Sequence, residues 1–156
     1  MKRILVEEVY QLHGTASVVV PEDTLLEDII ARFAHKPGLR GVFLVDSRQR
    51  LAGVITRISL IKWVHFRLFG GRRTKAVSPW EVFHFVDATK AKDLSHTDWR
   101  SLAVKETDTL ETALNHMIDL DEDVLPVLDS QETIIGDLRL SEVLLKALEL
   151  GKQERP

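Results

Sequence analysis

The feature that most constrains this chain is that it repeats itself. The run Leu51–Leu60, LAGVITRISL, is apolar from Leu51 to Ile55 around Gly53, reaches Thr56, and passes into a helical pattern over Arg57–Leu68. Ile134–Leu144, IIGDLRLSEVL, follows the same plan, with Gly136 in the place of Gly53 and Leu144 in the place of Ile61. Upstream, VFLVDS (Val42–Ser47) is answered at the same offset by LPVLDS (Leu125–Ser130). VPEDTLLE (Val20–Glu27) is answered one residue further on by VKETDTLE (Val104–Glu111). Matched elements in fixed order at a near-constant offset mark an internal repeat, which outranks any single motif. Neither half is long enough to bury a good core alone, so two related halves are expected to share one by pairing their sheets.

In chain order, Ile4–Leu12 reads as one or two helical turns ending near His13-Gly14, and Ser17–Val20 as a β-branched strand ended by Pro21. Asp23 or Thr24 caps the next helix, in which Leu26, Ile29, Ile30 and Phe33 form one stripe, and Pro37-Gly38 breaks it. Val42–Val45 and Leu51–Thr56 are continuous apolar strands around the polar turn Ser47–Arg50, a pattern that suits strands covered on both faces. Thr56 is a candidate N-cap for the following helix, so a strand feeds directly into a helix N-terminus. Free N–H groups and the helix dipole favour an anion there.

That helix carries Leu60, Ile61, Trp63, Val64, Phe66, Leu68 and Phe69 and stops at Gly70-Gly71, followed by the basic stretch Arg72-Arg73-Thr74-Lys75. Ser78-Pro79-Trp80-Glu81 reads as a capping box with proline at the first helical position. The apolar Trp80, Val82, Phe83, Phe85 and Val86 leave that helix either well buried or covered by a partner. After a turn at Ala91–Leu94 the second half gives a strand near Leu102–Val104 and a helix with Leu110, Ala113, Leu114 and Met117 on one stripe. An acidic loop at Asp119–Asp123 and strands at Val124–Leu128 and Thr133–Leu138 follow. A last helix is capped by Ser141, with Val143, Leu144, Ala147 and Leu148 inward, and the tail frays after Gly151.

Each half is thus strand, helix, strand, strand, helix. The quoted pieces together resemble a cystathionine-β-synthase (CBS) domain pair, a stand-alone Bateman-type module. The family's proline–acidic–threonine–leucine stretch before a helix appears as VPEDTLLEDII and VKETDTLETAL. Its apolar-Pro-Val-apolar-Asp strand appears as GVFLVD and VLPVLD, and its Gly-apolar-apolar-Thr-x-x-Asp ending as GVITRIS and GDLRLSE. The resemblance implies an α+β fold of two βαββα repeats related by a pseudo-twofold axis, with the sheets packed together. The repeats are expected at residues 1–66 and 96–156, joined by a connector at 67–95 that holds the basic loop and the aromatic helix.

The resemblance also implies a regulatory module that senses AMP, ADP, ATP or S-adenosylmethionine in the cleft between repeats, often as a homodimer. Carried over by position, Thr56 keeps the motif threonine, while Ser59 stands where aspartate is usual. Arg139 replaces the second threonine, and Glu142 replaces the second aspartate. Ser59 offers one hydroxyl in place of a carboxylate clamp, Arg57 and Arg139 suit a phosphate, and Glu142 reaches for a ribose. The base is expected against Val18, Val42, Ala103 and Leu125. Asp137, where an apolar residue is usual, is expected to face solvent.

Other chemistry is excluded residue by residue. The six histidines are scattered, with no pair at i, i+4 and no HExxH, so no metal is expected. The acidic loop lacks the spacing and glycine of an EF-hand, and the Asp-Ser pairs at Asp46-Ser47 and Asp129-Ser130 are turn chemistry. No nucleophile–base pair is visible, so no catalysis and no required cofactor are expected. Arg67, Arg72, Arg73 and Lys75 with Trp63 and Trp80 outline a candidate RNA or phosphate patch, but 21 basic against 24 acidic residues make a solvated loop the better reading.

The absence of cysteine fits a reducing compartment. The apolar run after Met1-Lys2-Arg3 is too short for a signal segment, and no window approaches the roughly 18 apolar residues of a membrane span. A cytoplasmic protein is expected, with an adenosine ligand, a second copy and a regulated protein as partners, and with neither nucleic acid nor membrane. The alternative reading is a structural or dimerisation module with vacant clefts that recruits a protein partner through its aromatic connector.

Overall fold

The computed structural model describes residues 3–10, 17–70, 79–95 and 99–155, and side chains throughout these except at Ser17 and Pro79–Val82. It resolves into two compact units, Thr15–Trp99 and a second made of Met1–Gly14 with Arg100–Pro156.

In the first unit, β1 (Ser17–Pro21), β2 (Gly41–Val45) and β3 (Leu51–Thr56) form a sheet in that order. β1 runs parallel to β2 and β3 antiparallel to it. The parallel pair needs a crossover, supplied by α1 (Leu26–His35). β2 is buried along its whole length, as its unbroken apolar run requires. Leu26 and Ile29 of α1 enter a core with Val42, Leu44 and Ile55, while Ile30 and Phe33 pack against its margin. α2 (Arg57–Phe69) leaves β3 directly, and α3 (Pro79–Val86) returns with Phe85 buried 5.8 Å from the ring of Phe66. The turn between β2 and β3 is held by Asp46, whose carboxylate accepts from the N–H groups of Arg48 and Arg50.

The second unit repeats the plan. α4 (Trp99–Leu102) is a short helix that ends on Leu102, so the strand begins later than the sequence suggests, as β4 (Val104–Lys105). α5 (Leu110–Leu120) crosses to β5 (Val124–Leu128), and β6 (Ile134–Arg139) returns antiparallel and opens α6 (Leu140–Gln153). Asp129 holds the β5–β6 turn through the N–H groups of Gln131 and Thr133, as Asp46 does in the first unit. Leu26, Val45 and Ile55 are buried like Leu110, Leu128 and Leu138, and Ile30 is half-buried like Leu114. The repeat therefore carries environment as well as residue type.

A second correspondence was not visible in the sequence. The segment ahead of each repeat's first strand packs on the unit that holds the other repeat's sheet. Near the start of the chain, a 3-10 turn over Val6–Glu8 lies against the start of α5. Val6 N–H donates to the Asp108 carbonyl, Glu7 N–H to that of Glu106, and Leu110 N–H to that of Ile4. Before the second repeat, a 3-10 turn over Ala91–Leu94 lies against the start of α1. Ala91 N–H donates to Thr24, Lys92 N–H to Glu22, and Leu26 N–H to Thr89. These are the same three bonds made twice. Val6, Ala91 and Leu94 are buried, so each turn fills a core position that its sheet leaves open.

Several local expectations are corrected. The N-terminal stretch is a single 3-10 turn among its described residues. Neither Asp23 nor Thr24 caps α1; the N-cap is Leu25, without a side-chain bond, and Thr24 donates instead to the Pro21 carbonyl. Ser141 does not cap α6, because the helix starts two residues earlier than such a cap requires, at Leu140, with Arg139 at the N-cap. Val143 of that helix is buried but Leu144 and Leu148 are exposed, and the helix runs past Gly151. Asp137 is only 3% exposed rather than facing solvent. In α3, Phe85 is buried while Phe83 is 78% exposed, so of the two alternatives for this helix the single chain buries only the Phe85 side. The Ser78 cap and the Arg72–Lys75 loop lie outside the described residues.

Candidate functional site

Each strand-to-helix turn is built by the end of its own sheet. In the first, β2 opens with Gly41 paired to Thr56, and the next pair is Val42 with Ile55. Thr56 leaves the strand with an extended backbone and becomes the N-cap of α2. Its Oγ1 accepts from the Ser59 N–H at 3.4 Å and lies 3.3 Å from the Ser59 hydroxyl. Both side chains are buried, whereas Arg57 points to solvent. Val18, the cross-strand partner of Val42, is half-buried against the core, and Val42 is fully buried. Val18, Val42, Thr56 and Ser59 thus gather at one end of one sheet.

The position of Gly53 has a physical cause that the sequence concealed. A Cβ there would lie 2.6 Å from the Ser95 Oγ, which accepts from the Val54 N–H at 3.0 Å. Only a residue without a side chain admits Ser95 to the edge of β3. Ser95 had no sequence signal of its own; it follows the 3-10 turn that packs on this sheet.

The second turn has the same backbone but different chemistry. Val124 pairs with Arg139 and Leu125 with Leu138, so Leu125, Arg139 and Glu142 gather at the corresponding sheet end, with Leu125 fully buried. Ala103 is half-buried just ahead of β4. Where the first turn joins two hydroxyls, this one joins ions. The Arg139 Nε donates to the Glu142 Oε1 at 2.7 Å and lies 3.7 Å from the Asp137 Oδ1. Burial raises the Glu142 carboxyl above its ordinary pKa; Arg139 opposes the rise and the Asp137 charge adds to it. The place of Asp137 in the cluster was missed because an acid inside an apolar strand reads as exposed.

Glu142 also lines a cavity of about 190 Å³ with Glu8, Val9, Leu145, Lys146 and Glu149. Among the described residues no group of three or more histidine, aspartate or glutamate side chains converges to hold a metal ion. No helix among them is long and apolar enough to cross a membrane.

The repeated topology, the paired turns and the residues that build them are matched twice by one family model, the CBS domain, over residues 6–66 and 91–149. The chain belongs to the CBS domain family. Solved CBS structures share its fold. A CBS domain-containing protein of Thermotoga maritima is 28% identical, with a TM-score of 0.74 over 94% of this chain and 95% of its own. A CBS domain protein of Pyrobaculum aerophilum complexed with AMP is 17% identical, with a TM-score of 0.65 over 96% and 99%. A CBS domain pair in complex with 5′-methylthioadenosine and S-adenosylmethionine is 12% identical, with a TM-score of 0.64 over 97% and 99%. No curated protein matches the chain significantly.

Proposed function

We propose that this CBS pair is a regulatory module that senses an adenosine-containing ligand through its two strand-to-helix turns, Thr56–Ser59 and Arg139–Glu142. The observation that carries this reading is the pair of turns itself. Twice in the chain a β-strand ends in a polar or charged N-cap residue, and three residues later a second polar side chain is turned inward beside it. Such turns present helix N–H groups to a ligand anion or hydroxyl. The AMP- and S-adenosylmethionine-bound relatives support the choice of ligand class. Calorimetry and thermal shift with AMP, ADP, ATP and S-adenosylmethionine test it. Ligand at about a hundred times its dissociation constant stabilises the fold by roughly 2.7 kcal/mol. Unchanged melting with all four at millimolar concentration overturns the sensor reading.

A second reading, a dimerisation or partner-recruiting module, is favoured by the helix surfaces. Ile61, Val64 and Leu68 form an exposed stripe on α2, and Leu140, Leu144, Leu145 and Leu148 one on α6. Apolar surface of this extent marks a contact, and a second copy is its proposed occupant. The two readings are compatible, since a dimer can also sense.

A further inference from the structure

The cluster Asp137–Arg139–Glu142 has a consequence for which ligands the second turn admits. Resting on the sensor reading, we propose that Glu142 sets ligand charge at this turn: it holds Arg139 away from anions, and an anionic ligand is admitted only with uptake of a proton by Glu142.

The geometry carries the proposal. Asp137 and Glu142 are both more than nine-tenths buried, and they share one guanidinium, at 3.7 and 2.7 Å. With both acids ionised the three groups sum to one negative charge in a place of low dielectric. A phosphate arriving at Arg139 must displace a charge-assisted bond and then lie beside two carboxylates. Protonation of Glu142 removes the first obstacle and lessens the second, because a neutral carboxyl frees the guanidinium from its ion pair and can donate to the incoming oxygen, while Asp137 alone keeps its charge.

The surroundings favour that protonation. Glu8 and Glu149 line the same cavity, and Lys146, the one cation among its described lining residues, pairs with Glu149 at 3.5 Å. Asp123, with Glu122 before it, borders the start of α6, where the Asp123 carbonyl accepts the Leu140 N–H. The Glu142 Oε2 is buried without a hydrogen-bond partner, so a proton on this carboxyl offsets the cost of burying its charge. Its carboxyl already sits above its ordinary pKa because of burial. The first turn, built from Thr56 and Ser59, holds no acid and has no such dependence.

The test is calorimetry of the full chain with AMP and with neutral adenosine, from about pH 5.5 to about pH 8.5, in buffers of different ionisation enthalpy. The expected result is AMP binding that tightens as pH falls, with a net proton uptake larger than the phosphate's own second ionisation near about 6 accounts for. Adenosine affinity stays level. Glu142→Gln tightens AMP at the alkaline end of the range, by about tenfold for each unit by which binding raises the carboxyl pKa, and flattens the profile. If the variant fails to fold, proton uptake by the wild type decides alone. AMP binding without proton uptake and with the same pH profile in both proteins overturns the proposal and leaves the sensor reading standing. No binding of AMP, ADP, ATP or S-adenosylmethionine at any pH overturns both.

Discussion

Gly53 and Thr56 stand three residues apart and make opposite demands. Gly53 must carry no side chain, so Gly53→Ala, with its Cβ 2.6 Å from the Ser95 Oγ, should cost about 1–3 kcal/mol in denaturant unfolding. Removing the obstacle with Ser95→Gly in the same chain should recover part of that loss, short of the bond to Val54 N–H. Thr56 must carry an oxygen. Thr56→Ala should cost about 1 kcal/mol as a lost cap and weaken every adenosine ligand.

Glu142 gives a pH effect whose sign follows from its raised pKa in the folded state. Between the unfolded and folded values the native state binds more protons. Its contribution to stability is therefore fully present below the unfolded pKa and is lost as pH rises through the folded one. A melting series for Glu142→Gln should lack this loss. The positions of all these residues were legible from the repeat and the motif spacing. Their partners were not: Ser95 and Asp137 meet the sites only through strand pairing and burial.

Among the elements, the two 3-10 turns make the clearest case of structure adding to sequence. Val6 is fully buried and donates its N–H to Asp108, while its neighbour Glu7 donates to Glu106 and Ile4 accepts from Leu110. Val6→Ala should therefore cost about 1–3 kcal/mol and raise amide exchange around α5, although the substitution lies ahead of β1. The helix starts make a second comparison. Thr109 caps α5 by accepting from Thr112 N–H at 3.1 Å, while Leu25, its counterpart in the repeat, gives α1 no such bond. Leu25→Thr should stabilise the chain by about 1 kcal/mol in equilibrium unfolding. The sequence assigned the strands and long helices through their apolar runs and stripes. It misplaced caps by a residue or two because serine, threonine and aspartate crowd the helix starts, and backbone path selects among them.

At the scale of the whole molecule, the exposed stripes on α2 and α6 predict a homodimer at micromolar concentration by sedimentation. Leu145→Glu or Leu68→Glu should shift it to monomer with the melting temperature of the single chain unchanged; a wild-type monomer at that concentration would refute it. Phe66 is a poorer probe than its sequence suggests, since it packs on Phe85 of its own chain.

The sequence by itself determined the repeat, the order of strands and helices in each half and the family, because apolar periodicity, turn residues and motif spacing are local. Only the tertiary structure decided that the segment ahead of each repeat's first strand completes the unit of the other sheet, that Asp137 is buried beside Arg139, and that the inward face assigned to α6 lies partly in solvent. Those outcomes depend on which surfaces remain uncovered once the sheets are formed. No local pattern encodes that.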